Sequence, residues 1–317
     1  IYSNLKSEYQ NLRSKRFSSL KILQNILPDV ELDLPESTSW VIRSNKDRPE
    51  TLNQVFYNSR ESLFIIGDGG MGKTTSLIGI MDEAYGVESE AYVLQKAVSK
   101  ERNPVVFLEL CVLSQDFRDW YDEKQGATFI EQFIASYLTG QPRRFIDKKH
   151  PYVTAIQEEL FRMPKTGEKE YTVLLDGMNE ISFINDRSKM VFYNALNEYL
   201  KYARNLRLII TGRNDVYELS PEHLLRLKAL GLEDNNIIDI LRKAVEKGTI
   251  SEVDFQNLKE NIENMARNES RLWKCLRIPF FLIMYCMSSN KKNVESQGEI
   301  LRNFFHDKII LSLYKMI

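Results

Sequence analysis

The sequence predicts an α/β fold: a parallel sheet with helices on both faces, followed by a small helical domain. Three observations carry this. Four apolar runs, at 63–66, 104–110, 171–176 and 206–211, alternate with stretches of helical period. Such alternation implies parallel strands covered on both sides. The first run passes through a glycine-rich turn straight into a helix, and from about residue 220 only helical patterns are left.

Taken in order, residues 1–27 read as helical, with Leu20, Ile22, Leu23, Ile26 and Leu27 among basic residues. Pro28 to Ser39 is a polar, acidic connector, "WVIR" (40–43) a short strand, and Glu50 to Tyr57 a short helix leading into the first buried strand. That strand, Leu63–Ile66, precedes a helix with Leu77, Ile78, Met81 and Ala84 on one side. "PVVFLEL" (104–110) is the second strand. In "TFIEQFIASYLTG", Thr128 and Glu131 have the spacing of a capping box and Gly140 can close the helix; Phe129, Ile130, Phe133, Ile134, Tyr137 and Leu138 form its apolar face. "YTVLLD" (171–176) and "LRLIIT" (206–211) are the remaining strands, with a helix over 190–203 between them. "SPEHLLRLKALG" reads as a helix capped by Ser220, with Pro221 first and Gly231 at its end. Further helices start near Asp234, at Ser251 and Asp254, and at Pro279; a polar linker, 288–299, precedes the last. The expected division is 1–35 helical linker, 36–219 nucleotide-binding domain, 220–290 helical domain, and 291–317 the start of another domain.

Length alone suggests roughly two to three domains. The 43 basic and 44 acidic residues among 317 leave a net charge of −1 and no basic stripe, so nucleic acid is not an obligatory partner. No apolar run reaches the roughly 18 residues of a membrane span, and no signal peptide is evident. Cys111, Cys275 and Cys286 lack metal or redox spacing; they read as reduced residues, Cys111 and Cys286 in the core, of a cytoplasmic protein. The chain begins without methionine and stops inside an amphipathic pattern, which reads as a fragment of a longer protein.

"GDGGMGKTT" holds four of the chain's 14 glycines. Gly67, Gly72, Lys73 and Thr74 match the phosphate-binding pattern Gly-x-x-x-x-Gly-Lys-Thr. Gly67, Gly69, Gly70 and Gly72 are expected to let the backbone turn with positive φ and bring its N–H groups onto phosphate oxygens, with Asp68, Met71 and Thr75 completing the loop. The helix starting near Lys73 aims its positive end at the same anion. Lys73 supplies a charge for the β- and γ-phosphates, and Thr74 a hydroxyl for Mg²⁺.

The partner motifs narrow the chemistry. Asp176 ends an apolar strand, which puts its carboxylate at the sheet edge as a Mg²⁺ ligand beside Thr74. Glu180, four residues on, can orient or deprotonate an attacking water. Arg213 ends the next strand and would face a γ-phosphate. Pro279, in "LRIPFFL", could pack on the nucleotide from the helical domain.

In this order, "GDGGMGKTT", "PVVFLEL", "LLDGMNEI", "LIITGR", "GLEDNNIIDIL" and "IPFFL" resemble the NACHT module of the STAND class of signal-transduction NTPases, within the AAA+-like group of P-loop proteins. That class includes animal NOD-like receptors and bacterial antiphage NACHT proteins, and the sequence leans toward the bacterial kind. The likeness spans about residues 36–317. Asn179 departs from it, since many members carry a second acid there, which bears on the hydrolysis rate. The resemblance implies ATP or ADP with Mg²⁺, slow hydrolysis, and a winged-helix domain begun near Glu299 whose nucleotide-sensing histidine is not His306. It also implies a switch. A proteinaceous trigger sensed by a C-terminal region outside this sequence lets ATP replace ADP; the modules then assemble into a ring or tetramer and activate an N-terminal effector, also outside it.

Other readings are a metabolic kinase or GTPase and an AAA+-like remodeller without a switch role. "SNKDR" (44–48) precedes the loop and is no guanine-reading motif, and no Leu-Ser-Gly-Gly-Gln run marks an ABC ATPase.

Overall fold

The computed structural model describes residues 10, 31–33, 50–85, 104–113, 121–122, 126–141, 145–165, 167–181, 186–213, 224–246, 248, 250–268, 270–287, 294 and 296–306. The expectations for the helix over 1–27, for "WVIR" and for the segment after residue 306 lie outside, apart from single positions.

The chain runs β1 (Glu31–Asp33), β2 (Glu50–Thr51), α1 (Leu52–Asn58), β3 (Ser62–Ile66), α2 (Lys73–Tyr85) and β4 (Val105–Glu109). After a small hairpin, β5 (Tyr121–Asp122) and β6 (Gly126–Ala127), come α3 (Phe129–Thr139), α4 (Pro151–Phe161), β7 (Tyr171–Asp176), α5 (Asp186–Tyr202), β8 (Leu206–Gly212) and β9 (Leu224–Ala229). Five helices follow: α6 (Asp234–Glu246), α7 (Glu252–Arg267), α8 (Arg271–Leu276), α9 (Pro279–Met287) and α10 (Gln297–Phe305).

The main sheet is ordered β2-β1-β9-β3-β8-β7-β4. Its five strands from β9 to β4 are parallel, and β1 and β2 add an antiparallel edge. Burial explains the apolar runs: every residue of β8 is buried, as are the first four of β3 and of β4. With helices packed against it, this is an α/β fold built on a largely parallel sheet.

The segment expected to form a helix from Ser220 to Gly231 is instead strand β9 over its described part. It pairs in parallel with β3, from Ser62 opposite Leu224 to Ile66 opposite Lys228. Leu224, Leu227 and Ala229 are buried. Their spacing suits a helix, but β3 has a free edge to satisfy, and tertiary pairing overrides local propensity. The sheet therefore continues past residue 219. In the presumed connector, Glu31–Asp33 pairs antiparallel with β9 through Leu32 and Ala229, a main-chain pairing that its acidic side chains do not advertise.

The capping box is also corrected. Thr128 makes no side-chain cap hydrogen bond, and Glu131, 0 % exposed, accepts one from the Tyr199 hydroxyl in the core. Gly140 does close α3, in the left-handed conformation at φ 66°. Asp234 is the first residue of α6 rather than its cap, with its charge at the positive helix end.

Two principal apolar cores result. One lies around the sheet, from Leu52 to Ala229. The other joins α6 to α10 through Ile237, Leu241, Leu258, Trp273, Leu276 and Leu282. Serine caps start three of its helices: the Ser251, Ser270 and Ser296 hydroxyls accept from the N–H groups of Asp254, Trp273 and Glu299. The three cysteines form no disulfide and are half-buried; Cys275 and Cys286 flank the second core rather than filling it, and Cys111 is likewise short of full burial.

Candidate functional site

β3 sits between β8 and β9, where the strand order reverses, the place at which open α/β sheets form a ligand crevice beyond the strands' C-terminal ends. Residues 67–72 turn there without regular structure, and α2 begins at Lys73. Four N–H groups at the start of any helix lack internal partners, so this loop and helix start form a concentration of donors at the crevice.

The glycines serve different purposes. Gly70 and Gly72 take φ of 81° and 87°, as expected. Gly67 and Gly69 do not have positive φ. A Cβ on Gly67 would lie 2.8 Å from the Cβ of Ala229, so there the missing side chain makes room for β9. That reason was hidden while 224–229 read as a helix.

Lys73 is half-buried. Its Nζ donates to the carbonyls of Gly67 at 2.7 Å and Asp68 at 2.8 Å, which folds the ammonium back across the loop. Burial lowers its pKa; the charges of Asp176 and Asp68 oppose that shift, and Arg213 adds to it. These four charged groups therefore share one electrostatic neighbourhood.

Asp176 is held on both oxygens. Thr74 donates from Oγ1 to Oδ2 at 2.7 Å, and Thr211 from Oγ1 to Oδ1 at 2.5 Å. Thr211 in turn accepts from the Gly177 N–H at 3.0 Å, locking the strand end. Thr211 was not singled out in the sequence as a site residue. The usable signal was a hydroxyl at the last turn of a fully buried strand, next to the strand bearing the acid.

Glu180 is exposed and folds back over the Gly177 turn: its Cδ lies 2.9 Å from where a Cβ on Gly177 would stand. Arg213 is exposed, with Nη2 3.6 Å from the equivalent point on Gly69, so its guanidinium reaches the loop. Pro279 is buried as the first residue of α9, and its neighbours Ile278 and Phe280 reach the loop. A Cβ on Gly70 would meet Phe280 Cβ at 2.6 Å and Ile278 Cγ2 at 3.3 Å, and the Phe280 N–H donates to the Gly70 carbonyl at 3.2 Å.

The oxygens of Thr74 and Asp176 are hard donors already side by side. Mg²⁺ takes such oxygens, and characteristically only one or two protein carboxylates beside substrate phosphates. The donor set fits that ion. Among the described residues no cluster of three or more His, Cys, Asp or Glu side chains could hold a metal by itself, and no helix is long and apolar enough to cross a membrane.

No protein-family model and no curated protein matches the chain. Among solved structures it is similar to the Walker-type ATPase of Pyrococcus abyssi, at 12 % identity and a TM-score of 0.39, over 84 % of this chain and 72 % of that one. It is also similar to a signal transduction ATPase with numerous domains (STAND) carrying a tetratricopeptide repeat sensor, from Pyrococcus horikoshii. There the identity is 14 % and the TM-score 0.40, over 80 % of this chain but 31 % of that protein. Cdc6p of Pyrobaculum aerophilum is similar at 19 % identity and a TM-score of 0.34, over 59 % of this chain and 43 % of its own.

Proposed function

We propose that this chain binds ATP or ADP with Mg²⁺, hydrolyses ATP slowly, and works as the nucleotide switch of a larger STAND-class protein of the NACHT type. The observation that carries the first part is the Thr74–Asp176–Thr211 arrangement beside Lys73 at the end of β3.

Each residue has a task in that reading. The loop N–H groups and Lys73 neutralise phosphate; a phosphate oxygen is a stronger, charge-assisted acceptor than the carbonyls that now hold the ammonium. Thr74 and Asp176 would hold Mg²⁺, which supplies charge neutralisation at the phosphates. Thr211 fixes the Asp176 carboxylate so that its other lone pairs face the crevice. Glu180 orients or deprotonates water, and Arg213 faces the terminal phosphate. Phosphoryl transfer needs little more than such positioning and electrostatics.

The switch is supported by the contact of Phe280 and Ile278 with the loop. The loop thereby touches the helical segment, and a nucleotide can shift that arrangement by its differential affinity for two states. Ligand-triggered assembly into a ring or tetramer, with an effector output in immune or antiphage defence, completes the proposal. Calorimetry with ATP, ADP and GTP, with and without Mg²⁺, tests the nucleotide part. Adenine nucleotide binding strengthened by Mg²⁺ is expected, and a wild-type protein that binds none overturns it. Sizing the full-length protein with each nucleotide tests the switch. One mass in every state leaves a plain ATPase.

A further inference from the structure

The first N–H groups of a helix have no partner inside it. In α9 the local acceptor is quickly used: Phe281 donates to the Ile278 carbonyl at 3.0 Å and Leu282 to the same oxygen at 3.1 Å. Phe280 is different. Its N–H leaves the helix and donates to Gly70 at 3.2 Å, in the middle of the phosphate loop. Gly70 stands at φ 81° and has no room for a side chain, because Phe280 Cβ occupies the place where one would begin. The residue is 45 % exposed, so burial in the second core does not explain why it sits there.

The segment carrying Phe280 is itself anchored. Arg277 accepts from the Leu232 N–H at 2.7 Å, and its Nε donates to the Leu232 carbonyl at 2.8 Å. Leu232 lies three residues after the end of β9, whose Ala229 packs against Gly67. The loop is thus braced at two glycines by elements that follow it by well over a hundred residues.

We infer that Phe280 is a positioning residue for the phosphate loop, acting through its backbone N–H on the Gly70 carbonyl. With that carbonyl held from outside, the peptide planes around Gly70 are fixed before a phosphate arrives, and the loop N–H groups converge inward. Less ordering is then left for the ligand to impose, which raises affinity. The effect on affinity rests on the nucleotide reading above. The effect on loop order does not.

The test replaces Phe280 by Pro, which removes the N–H and is tolerated in the first turn of a helix. Phe280→Ala, which keeps the N–H, is measured beside it. Hydrogen exchange of peptides covering 67–75 is followed in nucleotide-free protein, and ATP and ADP affinity by calorimetry. Phe280→Pro should speed exchange in the loop and weaken nucleotide binding by roughly 3- to 10-fold, the range of a single hydrogen bond. Phe280→Ala should lose less on both readouts. A Phe280→Pro protein with a normal melting temperature, wild-type loop exchange and wild-type affinity overturns the inference.

If Phe280→Pro does not fold, Gly70→Ala is compared with Gly70→Ala/Phe280→Gly. Both carry the same backbone strain at position 70 and both keep the N–H of residue 280, so the difference reports relief of the crowding between the two positions, set against the helix cost of glycine at 280. The pair should regain part of the lost loop protection, and no regain overturns the inference. If the wild-type protein binds no nucleotide, the proposed function falls, while loop exchange still decides the role of Phe280.

Discussion

Two acids of this chain sit at opposite extremes. Asp176, at the rim of the sheet, has both oxygens held by hydroxyls, from Thr74 and Thr211. Glu131, in the core between α3 and α5, has one oxygen bonded to the Tyr199 phenol, and its Oε1 has no partner among the described residues. Phe129 packs against Phe192 and Tyr199 there, with ring centroids 5.7 and 5.6 Å apart. Burial pushes the Glu131 carboxyl up to about 8, with the Tyr199 hydrogen bond opposing. At neutral pH Glu131 is therefore kept mostly neutral by its surroundings, whereas Asp176 has both oxygens engaged by hydroxyls at the sheet rim. An acid's environment, more than its type, decides whether it serves a ligand or the fold.

The largest break in that contrast comes from the charge facing Asp176. Lys73→Ala should weaken ATP binding by about 10²-fold or more, the scale of removing one partner from a partly buried charged contact. The melting temperature of the nucleotide-free protein should stay close to wild type. Calorimetry and a thermal scan check both; unchanged affinity removes Lys73 from the site.

Glu180→Gln should leave ATP bound but slow single-turnover hydrolysis by about 10²-fold. If Asn179 has already made turnover slow, the drop shrinks. A wild-type rate assigns the water to another group.

The two ends of the comparison separate further at Thr211. Thr211→Val keeps the shape but frees one Asp176 oxygen. Partners that orient metal-binding groups typically contribute about 10- to 100-fold in metal affinity. Nucleotide binding should become weaker in Mg²⁺ and change little in EDTA; equal losses in both would make Thr211 a purely structural residue.

The smallest effect belongs to Glu131 and pH. Its folded pKa lies above the unfolded value of 4.5, so the folded state holds the proton more tightly. The stability this contributes is complete below about pH 4.5 and is lost as pH rises toward about 8. The melting temperature should fall by several degrees across that window. In Glu131→Gln, which cannot titrate, this component should vanish; an identical pH profile in both proteins would place the titration elsewhere.

These acids also show how far sequence reaches. Asp176 was legible because a buried strand ending in an acid has one geometric outcome: the side chain emerges at the sheet edge. Lys73 and Thr74 were legible because loop, helix start and strand are contiguous. Glu131 was not, because Thr-x-x-Glu reads the same at an exposed helix start as on a buried one. β9 failed for a related reason, since its leucines satisfy a helical period and only the open edge of β3 decides otherwise. Phe280 was missed by one position: Pro279 drew attention as a helix opener, and a backbone N–H leaves no mark in a sequence.

β9 has a consequence for how the molecule is made. Its register joins Ser62 to Leu224, so the strand that carries the phosphate loop waits for more than half of the chain before its second edge is covered. Pairings between such distant segments form slowly, and an uncovered edge invites pairing with other chains. On the ribosome, β3 emerges early with Leu63, Phe64 and Ile65 on it, and its partner emerges late. A product cut short just before Leu224 would retain every residue of the phosphate-loop motif yet carry a bare, apolar strand edge, and its fate would be aggregation rather than nucleotide binding.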